Sequence, residues 1–329
     1  MKRSIVFAIF YLLPSVILAE GIEVGGGIRQ RRGLLIWELC KEDYACSRLT
    51  YDNNFSMYEV YMLNSVGYLR MGLTMGWSGG SIPQPSMRDE DWFTPGYLAK
   101  DGPRVELYTL SFHDSPYGFD GDRKDNDAWS RTNLNTYSIM PWIEWLIGKH
   151  WKLIGQISYE YYYYRRYESL ILTRWTVTYF DPDSHLAISR DYWRPGYAYD
   201  FGYFEVNVSE LRAGVSYNRS SGPYKFYGQF LPLTGFIDSR DDHGLITSTT
   251  WKNHTIGGGF VINLGIGYSI GNSVELLGEW SARRIYTRGI GTVYGLRVIE
   301  STGILSTKYS GSDVGIKESS VGMKVIFYI

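Results

Sequence analysis

Apolar and polar residues alternate along much of this chain, and a period of two predicts half-buried β-strands. The clearest case runs from Thr132 to Ile147. Tyr137, Ile139, Ile143, Trp145 and Ile147 share one face, while Thr136, Ser138 and Glu144 share the other. Pro141 interrupts this run, because proline brings no donor to a ladder. From Trp151 to Trp175 one face carries Trp151, Leu153, Ile157 and Tyr159. From Thr247 to Ile270 it carries Ile256, Gly258, Phe260, Ile262, Leu264 and Ile266. From Val274 to Tyr286, Val274, Leu276, Gly278, Trp280 and Ala282 oppose Glu275, Glu279 and Arg283. The final run keeps Val321, Met323, Val325, Phe327 and Ile329 in phase. Further strands are read over 21–38, 47–62, 67–77, 197–217 and 224–236. In the fourth of these the apolar phase slips between Val208 and Leu211, which predicts a bulge.

The connections fall into two kinds. Short ones are expected at Asn64-Ser65, Gly148-Lys149-His150, Ser220 to Pro223 and Gly271-Asn272. Long polar ones span Leu39–Cys46, Ser81–Arg131 and Phe180–Gly196. An even count of about ten strands, with short turns at one end and long loops at the other, describes an all-β transmembrane antiparallel β-barrel with long extracellular loops. Charged residues on the second face of a strand then point into the lumen, where they can pair. The run Tyr161 to Tyr164 suits an upper aromatic girdle, and strand propensity alone would also account for it.

The N-terminus adds an address. Met1-Lys2-Arg3, an apolar stretch from Ile5 to Leu18 and Ala19 make residues 1–19 a signal peptide, leaving 20–329 as one barrel domain. No other apolar run approaches the ~18 residues of a transmembrane helix. With 29 Tyr, 11 Trp and 37 Gly, an aromatic-rich chain suits barrel strands. The net charge of −1 gives no nucleic-acid signal. Cys40 and Cys46 are the only cysteines, and in an exported chain so close a pair is expected to form a disulfide. Their spacing fits no common zinc pattern, so no metal is expected there.

Two acidic clusters carry the candidate chemistry. Asp241 and His243 lie two apart at the end of an apolar strand, so an extended backbone presents both to one side. A carboxylate beside an imidazole fixes its tautomer and raises its basicity. For an isolated Asp-x-His, a solvated acidic loop is the commoner reading. Asp89 and Asp91 form a second pair, able to share a proton, hold a water or bind calcium, or simply to line a polar loop. Both clusters fall at the tops of upward strands, hence at one end of the barrel.

These residues resemble the omptin family of outer-membrane endoproteases, which carry Asp-x-Asp-Trp in the second outer loop and Asp-x-His at the top of the seventh strand. Asp89-Glu90-Asp91-Trp92 and Asp241-Asp242-His243 match in type and order. The stretch from His254 through Trp280 and the final Gly322-Met323-Lys324 are also similar to the family's last strands. The resemblance implies a monomeric endopeptidase without cofactor or metal, facing outward from the outer membrane of a Gram-negative bacterium. His243, oriented by Asp241, would deprotonate a water held by Asp89, with Asp91 in support. The substrate would be an extracellular polypeptide. Lipopolysaccharide would be needed as a lipid partner, with Arg165 and Arg166 as candidate contacts or as ordinary rim charge.

The chain departs from the family in its specificity pocket. Omptins that cut between basic residues place an acid at the top of the first strand and another two positions before the dyad aspartate. Here the first region reads Arg29-Gln30-Arg31-Arg32, and the second position is Ser239, with Asp238 beside it as a possible substitute. A second Asp-x-His, Asp183-Ser184-His185, lies in the third outer loop, where the family keeps no dyad. The rival reading is a non-enzymatic barrel acting as an adhesin or host-protein binder. A passive pore fits less well, since about ten strands leave little lumen once side chains fill it.

Overall fold

A computed structural model describes the backbone over residues 21–41, 45–79, 82–83, 87–93, 107–114, 131–181, 186–242, 249–295 and 306–329. Side chains are described over 21–38, 49–79, 133–165, 202–242, 250–292 and 311–329. The segment 1–19, the alternative pair Asp183 and His185, and His243 lie outside the described residues.

The strands are β1 (Gly21–Lys41), β2 (Ala45–Val66), β3 (Leu69–Trp77), β4 (Ile82–Pro83), β5 (Met87–Phe93), β6 (Leu107–Asp114), β7 (Arg131–Leu146), β8 (Trp151–Asp181), β9 (Leu186–Ser221), β10 (Tyr224–Asp242), β11 (Thr249–Ile270), β12 (Val274–Gly295) and β13 (Ser306–Tyr328). Every pairing is antiparallel, and β1 pairs with both β2 and β13, so the sheet closes on itself. Ten long strands make the barrel, an all-β fold with no helix among the described residues. Closure removes the free edges that a flat sheet would expose.

The three short strands correct the expectation of one long loop over Ser81–Arg131. Above β3 and β7 the wall is completed by β5 against β2 and β6 against β8. β4 extends the pairing along β7. Likewise, most of 180–196 is the top of the β8–β9 ladder, in which Thr178 faces Ser189 and Leu172 faces Pro195. Cys40 and Cys46 are direct register partners across the β1–β2 hairpin. Antiparallel partners have Cα atoms about 4.5–5.5 Å apart, within the range a disulfide spans.

At the opposite end the connections are tight. Asn64 and Ser65, expected to turn, continue the ladder opposite Met71 and Arg70. The chain reverses at Gly67, whose φ of 57° favours a residue without Cβ. Gly222 and Gly271 hold the same conformation in the turns foreseen there. The prolines mark gaps. Pro141 keeps its place opposite Leu73, but the β7–β8 ladder is interrupted between Ile139 and Trp142.

The outward face is apolar around the wall, with Trp145, Ile157, Leu211, Phe230, Leu264, Trp280 and Met323 all exposed. Such a band on a closed barrel is the architecture of outer-membrane barrels. The inward face changes character with height. Near the turns it is ionic, and higher up it is aromatic. That change explains a misread phase: no register shift occurs between Val208 and Leu211. Val208, Glu210 and Arg212 all face inward there, and Leu211 faces out. The β8–β9 shift lies instead at Arg166/Tyr167. The tyrosine run divides in the same way. Tyr162 and Tyr164 enter the lumen at 0% exposure, and Tyr161 and Tyr163 remain on the outer face.

Candidate functional site

Two structures fill the lumen. The lower one is an ion lattice in charge-balanced layers. Lys152 and Arg70 bond Glu144 at 2.8 and 3.1 Å, and Arg70 also reaches Glu23 at 2.7 Å. One layer up, Arg29 bonds Glu59 at 2.7 Å and Glu279 at 2.6 Å, and Lys324 joins both acids. Above that, Arg283 links Glu160, Glu318 and Glu210, while Arg31 bonds Glu160 at 3.0 Å and Arg212 bonds Glu210 at 2.6 Å. Arg29 and Arg31, expected at the mouth, therefore lie inside this lattice. β1 runs on to Lys41, which puts its top well above them. The layers surround a polar cavity of about 250 Å³.

The upper structure is an aromatic layer closing the lumen. Tyr51 stacks on Phe204 at 4.6 Å between ring centroids, Tyr164 meets Tyr51 at 4.8 Å, and Trp37 stacks on Phe204 at 5.6 Å. Three polar tips find partners. Trp37 Nε1 donates to Ser312 Oγ, Tyr162 Oη to Glu160 and Tyr164 Oη to Asn53. A closed aromatic layer suits the floor of a cleft, because buried aromatic rings combine large apolar area with a polar tip that still finds a partner.

The sequence-predicted acids meet this floor. Asp241 is 1% exposed on the inner face of β10 and is the register partner of Phe204. On the far wall, Asp89 is the register partner of Leu49, Leu49 of Trp37, and Trp37 stacks on Phe204. Three register steps and one ring stack thus connect the strand positions of Asp89 and Asp241 to the same aromatic layer. Around the upper ring, β5 and β10 are separated by β6, β8 and β9 on one side and by β2, β1, β13, β12 and β11 on the other. They stand across the barrel from each other. Asp91 follows on β5 opposite Ser47, so the Asp pair lies on a strand of the wall rather than in a loop.

Next to Asp241, alternation sorts the expected pocket residues. Ser239 faces inward at 5% exposure, whereas Asp238 faces outward and bonds the exposed His254 ring through Nδ1. Asp238 and Ser239 therefore cannot serve one inward pocket together. Asp242 also faces outward. It accepts from Arg240 at 3.0 Å and from Thr250 at 3.4 Å. Tyr203 lies beside it, and its hydroxyl is raised above the ordinary tyrosine value by burial and by its hydrogen bond to Asp242. Arg165 is exposed at the top of the tyrosine run; the Arg166 side chain lies outside the described residues.

One inward residue escaped the sequence reading. Asn253 on β11 is 4% exposed and is the register partner of Ser239. The signal was present in Trp251, Asn253 and Thr255, which alternate with the outward Lys252 and His254. Only the β10–β11 register connects that run to Ser239.

No family model matches the chain, and no curated protein matches it. Among solved structures, the outer membrane protease OmpT from Escherichia coli superposes with a TM-score of 0.59 at 9% identity, covering 94% of this chain and 97% of that one. The translocator domain of autotransporter NalP from Neisseria meningitidis reaches 0.36 at 10% identity, covering 99% and 97%. The P. putida toluene transporter TodX reaches 0.26 at 8%, covering 96% and 92%. The first similarity establishes a shared barrel fold, and the other two are too low to bear on this chain.

Proposed function

We propose that this chain is an outer-membrane endopeptidase of omptin type, exposing its site to the outside of a Gram-negative cell. The observation that carries the reading is that Asp89 and Asp241 lie on strands across the barrel from each other, each connected through its register partners to the aromatic layer. Two acidic motifs remote in sequence come to opposite walls at the same end of the barrel, as a site spanning it requires. Asp241 orients His243, which takes a proton from a water held by Asp89. The resulting hydroxide attacks the scissile carbonyl, and the imidazolium returns the proton to the departing amine. Asp91 supports the pair or, when protonated, donates to the developing oxyanion. Lipopolysaccharide acts as the lipid partner, with Arg165 and Arg166 as candidate contacts, and the barrel works as a monomer.

The test is digestion of a mixed peptide library by the refolded chain with lipopolysaccharide, beside His243→Ala and Asp89→Asn. Cleavage by the wild type and its loss in both variants is the expected result. Equal cleavage by all three would sink the mechanism. The β8–β9 ladder, which continues from Arg166/Tyr167 up to Asp181/Leu186, favours a second reading as a barrel that binds a host protein or surface. A folded wild type that cleaves nothing would move the assignment there.

A further inference from the structure

We propose that Ser239 and Asn253 form a subsite beside Asp241 that takes an uncharged amide side chain, glutamine or asparagine, of a bound polypeptide. The proposal rests on the endopeptidase reading and names its substrate class.

The argument starts from hydrogen bonds that are not made. Ser239 Oγ and both amide atoms of Asn253, Oδ1 and Nδ2, are buried and have no hydrogen-bond partner among the described residues. An unpaired buried polar group is costly, and such groups are rare in native proteins unless something else satisfies them. Here three such atoms occur on two residues that are direct register partners. Elsewhere such atoms occur singly, on Thr136, Ser216, Arg283 and, next to Ser239 in sequence, Arg240. The next inward row gives the contrast. Thr255 Oγ1 bonds Ile237 O at 3.2 Å and Thr287 Oγ1 at 2.7 Å, and Thr287 donates onward to Val314 O. Buried hydroxyls on this wall are paired where structure alone requires it, but the row below Asp241 is left open.

Hydrogen-bonding capacity and charge then select the occupant. The β12 partner of Asn253 is Gly291, which brings no side chain of its own to the row. Asn253 offers one acceptor and two donors, and Ser239 offers one of each kind; a carboxamide presents the same mixture in return. Asp238, Arg240 and Asp242 occupy the alternate, outward-facing positions, so Asp241 is the one inward acid on this part of β10. A lysine or arginine entering here would meet one carboxylate, Asp241, which in the endopeptidase reading is already committed to His243, and would leave the amide nitrogen of Asn253 unsatisfied. An aliphatic side chain would leave all three polar atoms unsatisfied.

The experiment uses the refolded full barrel and peptides identical except for Gln, Asn, Leu or Lys at one position. Cleavage is followed as kcat/KM in the wild type, and binding of labelled peptides by anisotropy in His243→Ala. The expected result is at least tenfold preference for Gln or Asn over Leu and Lys in both readouts. Asn253→Leu should lower that preference about tenfold, the worth of one hydrogen bond. Asn253→Asp, which keeps the shape if the leucine variant does not fold, should turn the preference toward Lys. Equal handling of Gln and Leu by the wild type, or a preference unmoved by both variants, overturns the subsite while leaving the endopeptidase intact. An amide preference in binding without any cleavage upholds the subsite and overturns the hydrolysis.

Discussion

The lower lumen and the wall beneath Asp241 are both buried and polar, yet they are built on opposite terms. In the lower lumen every acid has a cation within bonding distance, and each layer is neutral. Arg29 and Lys324 face Glu59 and Glu279, and Arg70 and Lys152 face Glu23 and Glu144. On the β10–β11 wall, Ser239 and Asn253 are ladder partners whose side-chain polar atoms have no hydrogen-bond partner among the described residues. A closed lattice holds a barrel together and has nothing left to offer a ligand. An open row weakens the barrel and keeps its donors and acceptors for something that arrives.

Changes at the site should therefore damage turnover rather than stability. Asp241→Asn is expected to lower turnover by about 10²–10⁴-fold, the usual contribution of a general base and the group that orients it. Its thermal unfolding should stay close to the wild type, since asparagine keeps the shape of the buried side chain. A large fall in melting temperature, with activity per folded molecule preserved, would place Asp241 with the lattice instead.

The lattice should respond the other way. Arg283→Met removes one cation from among Glu160, Glu210 and Glu318. Stripping a partner from a buried ion cluster typically costs about 3–5 kcal/mol. Denaturant unfolding should show that loss, with cleavage per folded molecule within about threefold of wild type, a margin of about 0.65 kcal/mol. Phe204→Ala should be comparably destabilising, about 3–5 kcal/mol for a truncated buried aromatic residue. It also strips the ring that joins Trp37 to Tyr51, so conductance across a planar bilayer, expected at baseline in the wild type, should rise.

The same contrast explains what could be read in the sequence. The fold was legible because the outward face keeps one chemistry from end to end, as in Trp151, Leu153 and Ile157, so a period of two stands out. The inward face switches from ions to rings, and wherever it was used to judge phase it misled, as at Val208 to Leu211. The acidic motifs were legible because their residue types are unusual at strand ends. The place of Asp89 and Asp91 on a strand of the wall was not, since it depends on β5 replacing β3 in the upper wall. The partnership of Ser239 with Asn253 was hidden for a similar reason: it is fixed by a register between strands, and neither residue is conspicuous alone.

The smallest effect tests the alternation itself. Asp238 and His254 bond each other on the outer face, with side chains 60% and 73% exposed. Exposed ion pairs contribute about 0–1 kcal/mol, so Asp238→Ala should shift stability by no more than about 0.5 kcal/mol. Cleavage-site preference should not change at all, because a residue one step along a strand from Ser239 points through the wall and away from the cleft. Profiling the cut sites of Asp238→Ala against wild type checks this directly. A changed preference would mean that Asp238 reaches substrate, and the division between an open inner row and an outer surface would then fail at the position where it is most sharply drawn.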